Sequence, residues 1–470
     1  MKNKLQRASL RAMVLLCVLV AGCAVGPKYA PPEVAPITLA STQKSAFSDA
    51  ALQAPWWTFL DDAVLAQAIE RALAHNHDIR QAQASLRVSR AVFDQQQLER
   101  TPAVTAQAGY QRSSEQAAGT GGVPQRSLSA SWRAGFDVAW EIDLFGRLGH
   151  LAQSAQARAD AAQADFALVR LTVAADVARH HYEAQGLQRR LALAQGQADS
   201  WRATLALLQS RRAAGNGAPD AVESARAELA RSEAALAPLA TARDQARFRL
   251  DVLTGQRPGQ HPIAAQTLAP APLARQLPLG DVDQLIRQRP DVVRAERLLA
   301  ASTEDVGAAT AALYPRLDLG GFIGFFALRG ADAGLGTQAF ALSPGLTWPA
   351  LRMGSARAQL RGASAQSEGA LARYEQSLLQ AQEDVENAVT QLGRHQQQLS
   401  ALLQSAVHAE RALAIATRRY EAGAGSYLAV LENQRSLSAL RQEVAQAETA
   451  SYLHVIALYK ALGWGLGGVS

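Results

Sequence analysis

Sulfur is scarce in this chain: two cysteines and three methionines among 470 residues. Cys17 lies inside an apolar leader, so Cys23 is the one cysteine expected in the mature protein. That excludes an intrachain disulfide and a cysteine-built metal site. Met353 is the only methionine beyond the leader, so a methionine-lined route for copper ions lacks the residues to build it. Beyond Cys23 no run of 18 apolar residues occurs, which excludes a membrane-spanning helix. If the mature chain enters a membrane, it does so by strands. The formal charge of +6 falls to +2 once Lys2, Lys4, Arg7 and Arg11 of the leader are set aside. The remaining arginines are spread along helices among Glu and Gln, a solvated face and not a nucleic-acid patch. A phosphate-cradling glycine loop, a nucleophile elbow and a His-Glu-x-x-His zinc motif are all absent, so the chain reads as no enzyme and needs no cofactor.

What is present begins with that leader. A basic start and an apolar stretch from Ala12 to Ala21 form a secretory signal over residues 1–22. It ends in Val20-Ala21-Gly22-Cys23, which resembles a bacterial lipobox, in which the cysteine becomes the acylated first residue. A proline-rich stretch, Gly26 to Pro36, reads as an extended tether within an N-terminal segment 23–62. Asp61 and Asp62 offer an N-cap for a helix running from Ala63 to about Glu99, stopped by Thr101-Pro102. Next come a strand from Ala103 to Arg112, a loop from Ser113 to Arg126 and a second strand. In that second strand Leu128, Ala130, Trp132, Ala134, Phe136, Val138, Trp140 and Ile142 alternate with mostly polar residues. Such alternation gives one greasy and one wet face. Gly146 ends the strand, and a helical pattern holds from Arg147 to about Ala213. A turn at Gly215 leads into a return helix from Asp220 to about Leu253, which Pro238 should kink.

The whole cycle then repeats. Pro290-Asp291-Val292 answers His77-Asp78-Ile79, and Tyr314-Pro315 answers Thr101-Pro102, both with a shift of 213. A second hairpin spans Arg316 to Trp348 around 327–337. After it the shift is 208, which pairs Trp140 with Trp348, Gly146 with Gly354, Gly215 with Gly423 and Gly255 with Gly463. This is an internal duplication: a first repeat over 63–255, a linker over 256–280, a second repeat over 281–463 and a tail over 464–470. Both long helices carry heptad seams. Leu148, Ala152, Ala155, Ala159, Ala162, Phe166, Val169 and Val173 mark the first, and an unbroken run from Leu371 to Tyr420, polar only at His395, marks the second. A helix of 67 residues spans ~100 Å, enough to lie beside two shorter helices stacked end to end. The fold class is therefore mainly α with membrane β, duplicated within one chain. Four strands cannot close a membrane barrel, so the chain must oligomerise; three copies would give twelve strands and a lumen.

Several short stretches, in this order and spacing, carry a family resemblance. They are Gly22-Cys23-Ala-Val-Gly-Pro-Lys-Tyr29, Trp56-Trp57, Ala72-Leu-Ala-His-Asn76, Trp140-Glu-Ile-Asp-Leu-Phe-Gly146, Arg289-Pro-Asp-Val292, Tyr314-Pro315, Arg419-Tyr-Glu-Ala-Gly423, Leu431-Glu-Asn-Gln-Arg435 and Leu458-Tyr-Lys-Ala-Leu-Gly463. The chain resembles the TolC-type outer-membrane efflux factors, in particular their lipoprotein branch, over nearly the whole mature length. The resemblance implies a homotrimer with a twelve-stranded β-barrel in the outer membrane of a Gram-negative bacterium, continued by an α-helical barrel in the periplasm. It implies a covalent lipid on Cys23, contact with outer-membrane lipid, and partnership with a periplasmic adaptor and an inner-membrane pump, often of the resistance-nodulation-division class. The lipid face would include Trp132, Phe136, Trp140, Phe340, Leu342 and Trp348. The turns at Gly215 and Gly423 would be periplasmic tips, with Asp220, Arg419, Tyr420 and Glu432 at the entrance. Gly425 and Ala429 stand where some relatives carry Asp, which leaves Glu432 as the matching acid, with Asp220, Glu223 and Glu421 nearby in sequence; the alternative is that Glu432 is a solvated helix residue.

His75 and His77, like His180 and His181, read as surface residues, and His395 as a packed or partly wet histidine in its seam. Three functional classes compete: an efflux outlet for small toxic molecules, the outlet of a protein-secretion system, and a non-conducting scaffold anchored to the outer membrane. Alternating hairpins argue against the scaffold, and by the family resemblance alone the lipobox favours efflux over protein secretion.

Overall fold

The computed structural model describes residues 24–40, 47–48, 55–118, 124–215, 219–260, 277–328 and 335–464. The expected leader, Cys23, most of the expected linker and most of the tail lie outside the described residues. In chain order the elements are β1 (Phe47–Ser48), a 3-10 turn (Trp56–Leu60), α1 (Ala63–His75), α2 (His77–Leu98), β2 (Ala103–Ala118), β3 (Pro124–Ile142), α3 (Arg147–Ala213), α4 (Pro219–Ala234) and α5 (Leu236–Leu253). There follow β4 (Leu277–Pro278), α6 (Val282–Gln288), α7 (Pro290–Ala311), β5 (Arg316–Leu328), β6 (Gln338–Thr347), α8 (Met353–Glu421) and α9 (Tyr427–Ala461). They divide into two compact units, one of Met1–Glu33, Ser85–Gln163 and Arg294–Glu375, the other of Val34–Ala84, Ala164–Val293 and Gln376–Ser470.

The first unit holds one antiparallel sheet in the order β2-β3-β5-β6, so the two hairpins lie side by side. Here the expected hairpin needs correction. The strands run on to Ala118 and restart at Pro124, well into the Gly/Ser-rich stretch expected to be loop. Serines such as Ser113 and Ser129, whose hydroxyls lie 2.7 Å apart, continue the ladder because cross-strand hydroxyl pairs satisfy one another. Hairpin and helix meet in the same way in both repeats. Trp140 Nε1–H donates to Arg100 O at 3.0 Å, and Trp348 Nε1–H to Leu313 O at 3.1 Å. Each indole satisfies a carbonyl just past a helix C-terminus that would otherwise have no partner, and the paired positions keep the shifts of 208 and 213.

The second unit is built on the seams. Every seam residue from Leu371 to Tyr420 is buried or partly buried, with Ala381, Val385 and Leu392 fully enclosed. Where α3 crosses α9, a Cβ at Gly186 would meet Thr449 Oγ1 at 2.1 Å, so only glycine fits. His395 sits buried in its seam with Nε2–H donating to Ala447 O at 2.7 Å. Trp56 is buried and stacks on Tyr459 at 5.9 Å, and Tyr182 stacks on Tyr452 at 4.3 Å. The proline-rich segment has no regular secondary structure, and its backbone is tied down: Arg287 donates to the carbonyls of Val34 and Ala35, and Ile37 N–H donates to Asp283.

Three further expectations are revised. The helix from Ala63 does not reach Glu99 unbroken; it ends at His75 and a new one begins at His77. Asn76, with φ −64° and ψ 136°, accepts from Asp78 N–H at 2.8 Å and Ile79 N–H at 3.1 Å and donates to Leu253 O at 2.9 Å. The cap and the buried bond hold the extended residue in place. Arg289 breaks the equivalent helix of the second repeat with nearly the same backbone, φ −56° and ψ 135°. The return helix breaks at Ala235, just ahead of Pro238, whose missing N–H leaves the Ala234 carbonyl without its helical partner. Of the histidines, His75 and His77 are exposed, but His181 is buried and hydrogen-bonds to Asp62 at 2.9 Å. Burial raises the Asp62 pKa, yet the His181 bond and the α1 cap bonds together hold it below the ordinary value. His180 is half buried, 2.8 Å from Glu183.

Candidate functional site

Register, not sequence alone, defines the two faces of the sheet. Trp132 lies opposite Tyr110 and Ala327, Phe136 opposite Ala106 and Ile323, and Gly321 opposite Val138 and Leu342. One face thus carries Val104, Tyr110, Trp132, Phe136, Val138, Trp140, Leu317, Leu319, Ile323, Phe325, Phe340, Leu342 and Leu346, apolar on all four strands. Many of these are widely exposed in the single chain: Trp132 at 50%, Phe136 at 53%, Ile323 at 63%, Phe340 at 86% and Leu342 at 70%. Trp348, just past β6, is 54% exposed. Trp140 differs, being half buried at the foot of β3 where its indole holds Arg100.

The opposite face is mostly polar or small: Thr105, Gln107, Ser131, Arg133, Asp137, Glu141, Asp318 and Ser343. Phe326, opposite Arg133, and Leu328, opposite Ser131, interrupt it, and so does Phe322, a residue the sequence reading did not single out. Its ring covers Gly135 and Gly324, which face each other between the hairpins, and lies under the Arg133 guanidinium at 4.0 Å. Arg133 in turn pairs with Asp137. A large uninterrupted apolar face on a soluble monomer would be a liability; beside a wet face of the same sheet it suits a membrane wall. Among the described residues β2 and β6 each have one edge without a strand partner. No helix among them is long and apolar enough to cross a membrane.

At the other candidate region the helix turns are set by Gly215, φ +80°, and Gly423, φ +72°, both in the left-handed conformation that ends helices. Gly423 N–H donates to Tyr420 O at 3.0 Å, and Ala424 N–H to Arg419 O at 2.8 Å. Tyr420 is the anchor of this end. The Arg211 guanidinium lies 5.2 Å over its ring, and the Tyr427 ring lies 4.9 Å away. Beneath them Leu208, Val222 and Ala225 form a small core. Asp220, Arg419 and Glu432 are exposed, and the Glu432 side chain makes no ion pair or hydrogen bond with a described residue. Glu223 pairs with Arg226 at 2.9 Å. The structure thus joins Tyr420 to the Gly423 turn and shows no bond between these and Asp220 or Glu432. Further along α9, Arg435 stacks over the buried Trp201 at 5.5 Å and pairs with Glu228 at 3.3 Å, beside a groove of about 1140 Å³. Arg211, Tyr427 and Trp201 escaped the sequence reading; Trp201, the one tryptophan on a helix full of alanine, was the available signal.

Comparison with known proteins matches both repeats. The profile of the family described as "Outer membrane efflux protein" covers residues 68–256 and 282–464. Nodulation protein T of Rhizobium leguminosarum bv. trifolii is 31% identical over 92% of this chain and 92% of its own length. Outer membrane protein OprJ of Pseudomonas aeruginosa is 29% identical over 96% and 95%. The solved outer-membrane channel OprN superposes with a TM-score of 0.90 at 35% identity, covering 94% of this chain and 99% of its own. The chain belongs to the outer membrane efflux protein family, the TolC-type efflux channels of the Gram-negative outer membrane.

Proposed function

We propose that this chain is the lipid-anchored, trimeric exit duct of a tripartite efflux pump of the resistance-nodulation-division class, carrying small toxic compounds from the periplasm to the exterior. The observation that carries the reading is the four-stranded sheet with one largely apolar face and, among the described residues, two edges without a strand partner. An open edge in lipid leaves N–H and C=O groups without partners, each costing several kcal/mol, so copies must supply strands to one another. Three copies close twelve strands, and the polar face, with Arg133, Asp137, Glu141 and Asp318, then lines a wet lumen. The charged groups need no other solvent there. Family membership supports an adaptor and an inner-membrane pump as partners, since the duct itself holds no energy-coupling site. The turns at Gly215 and Gly423, stiffened by Tyr420, are the proposed docking end, and Glu432, on α9 after the Gly423 turn, is the proposed entrance acid. Acylation at Cys23 follows from the lipobox.

Planar bilayers test the duct. Purified, well-folded protein should insert and conduct; a folded oligomer that never conducts would favour the anchored scaffold. Cys23→Ser should abolish fatty-acid labelling, and unchanged labelling would refute the anchor. A deletion strain should regain resistance to small toxic compounds when supplied with the gene; restored protein secretion without resistance would favour the secretion outlet.

A further inference from the structure

The first residues after Cys23 are held by an arrangement that counts protons. Segment 24–29 lies along α3 and α7. Val25 N–H donates to Phe145 O at 3.2 Å, and Tyr29 Oη–H donates to Glu296 at 2.7 Å while its ring packs on Ala157, Ala300 and Ala301. Between those ends stands His150, from the first turn of α3. Its Nε2 lies 3.0 Å from Val25 O, and its Nδ1 lies 2.6 Å from Glu304 Oε2 on α7. The side chains of His150 and Glu304 are only 11% and 10% exposed. The fit is close: a Cβ at Gly307 would lie 2.5 Å from the His150 ring, and one at Gly26, φ +123°, would lie 2.7 Å from Gly307 Cα.

A carbonyl oxygen only accepts, so Nε2 must carry a hydrogen. The second contact, nitrogen to carboxylate, then requires a proton of its own, whether it resides on Nδ1 or on Glu304. The docked arrangement therefore holds one proton more than a neutral imidazole beside an ionised carboxylate. Removing that proton sets the Nδ1 lone pair against a carboxylate oxygen at hydrogen-bond distance, with little water to screen them. Other charges nearby are already committed. Asp143 accepts from Gly149 N–H at 2.7 Å, Asp305 takes Ser154 and Arg158, and Arg147 pairs with Glu141. None of these hydrogen bonds reaches His150.

We infer that His150 and Glu304 form a proton-dependent latch that docks the N-terminal segment onto the strand-to-helix junction, released as pH rises. The inference stands apart from the channel reading and does not require Cys23 to be acylated. Linkage fixes the sign: the docked state binds the extra proton, so docking is favoured at low pH and weakens above the ordinary histidine range by up to about tenfold per pH unit. Below the ordinary histidine range the released state also holds that proton, and the dependence vanishes.

Hydrogen exchange of the Val25 amide, read by mass spectrometry on the purified full chain from neutral to alkaline pH and corrected for intrinsic exchange, tests the latch. Wild-type protection should fall with pH at up to about tenfold per unit. In Glu304→Gln the amide NH2 donates to the neutral ring's Nδ1 without an extra proton, so protection should persist and lose its pH dependence. His150→Ala should lose protection at every pH. A histidine that only fills space predicts a flat wild-type profile, and that result overturns the proposal, as does a Glu304→Gln profile as steep as wild type.

Discussion

Where the two hairpins meet, Gly324 faces Gly135, and replacing Gly324 with alanine should separate them. A Cβ there would stand 2.3 Å from Ala134 O and 2.5 Å from Gly135 Cα, both backbone atoms that no rotamer change can move aside. Reaching ordinary contact requires the strands to part by about 1 Å from a spacing of about 4.8 Å. That stretch takes two or three ladder bonds out of hydrogen-bonding range, at roughly 0.5–1.5 kcal/mol each. The expected loss is about 2–4 kcal/mol, or a Tm lower by several degrees. Gly109→Ala is the matched control, on the same wet face with nothing within 4 Å of its Cβ. With no clash, alanine should be neutral or slightly stabilising there, since glycine loses more chain entropy on folding. Heat-dependent gel mobility and thermal unfolding of both variants distinguish the outcomes. Equal Tm values would refute the reasoning, because they would mean the hairpins are not packed this tightly.

Arg289→Ala should cost about 3–5 kcal/mol, since it strips a buried guanidinium from Asp291 and Asp384 and from the carbonyls of Ala381 and Ala461; chemical denaturation measures it. Burial raises the Asp291 pKa, but the Arg289 bond and charge together with backbone N–H bonds outweigh it and hold the pKa below the ordinary value. Asp291 therefore adds stability above the ordinary aspartate range that is lost as pH falls through its depressed pKa. Wild type should lose stability across that acid window, and Arg289→Ala should show a shallower loss there. Asn76→Asp keeps the α2 cap but loses the donor to Leu253 O, so it should cost about 1–3 kcal/mol, and Asn76→Ala more, by thermal unfolding. Glu432→Ala should weaken divalent-cation block of single-channel current; unchanged block would remove Glu432 from the entrance.

The ends of the long helices were legible because glycines at 146, 215 and 423 mark left-handed turns, and the sheet was legible because Leu128 to Ile142 keep a strict period of two. The break at Asn76 was harder to see, since neither proline nor glycine stands there. The duplication held the hint: Arg289 precedes Pro290, and a residue before proline avoids helical backbone, so a shift of 213 carries that break back to Asn76. His181 was misread for want of periodicity; it lies four residues after Val177, which is itself fully buried. The hairpin tip was misread from composition, because serine reads as loop although paired hydroxyls suit a ladder. The close pairing of Gly135 with Gly324 and the embrace of Val25 by His150 join residues far apart in sequence, and no local pattern marks either.

Among the described residues the first ribbon keeps pairing beyond Ser131, as far as Ala118 and Pro124. Both ribbons are riveted at their feet by Trp140 and Trp348. Growth or trimming at the far ends therefore disturbs none of the buried joints, leaving the crest open to variation while the footing stays fixed.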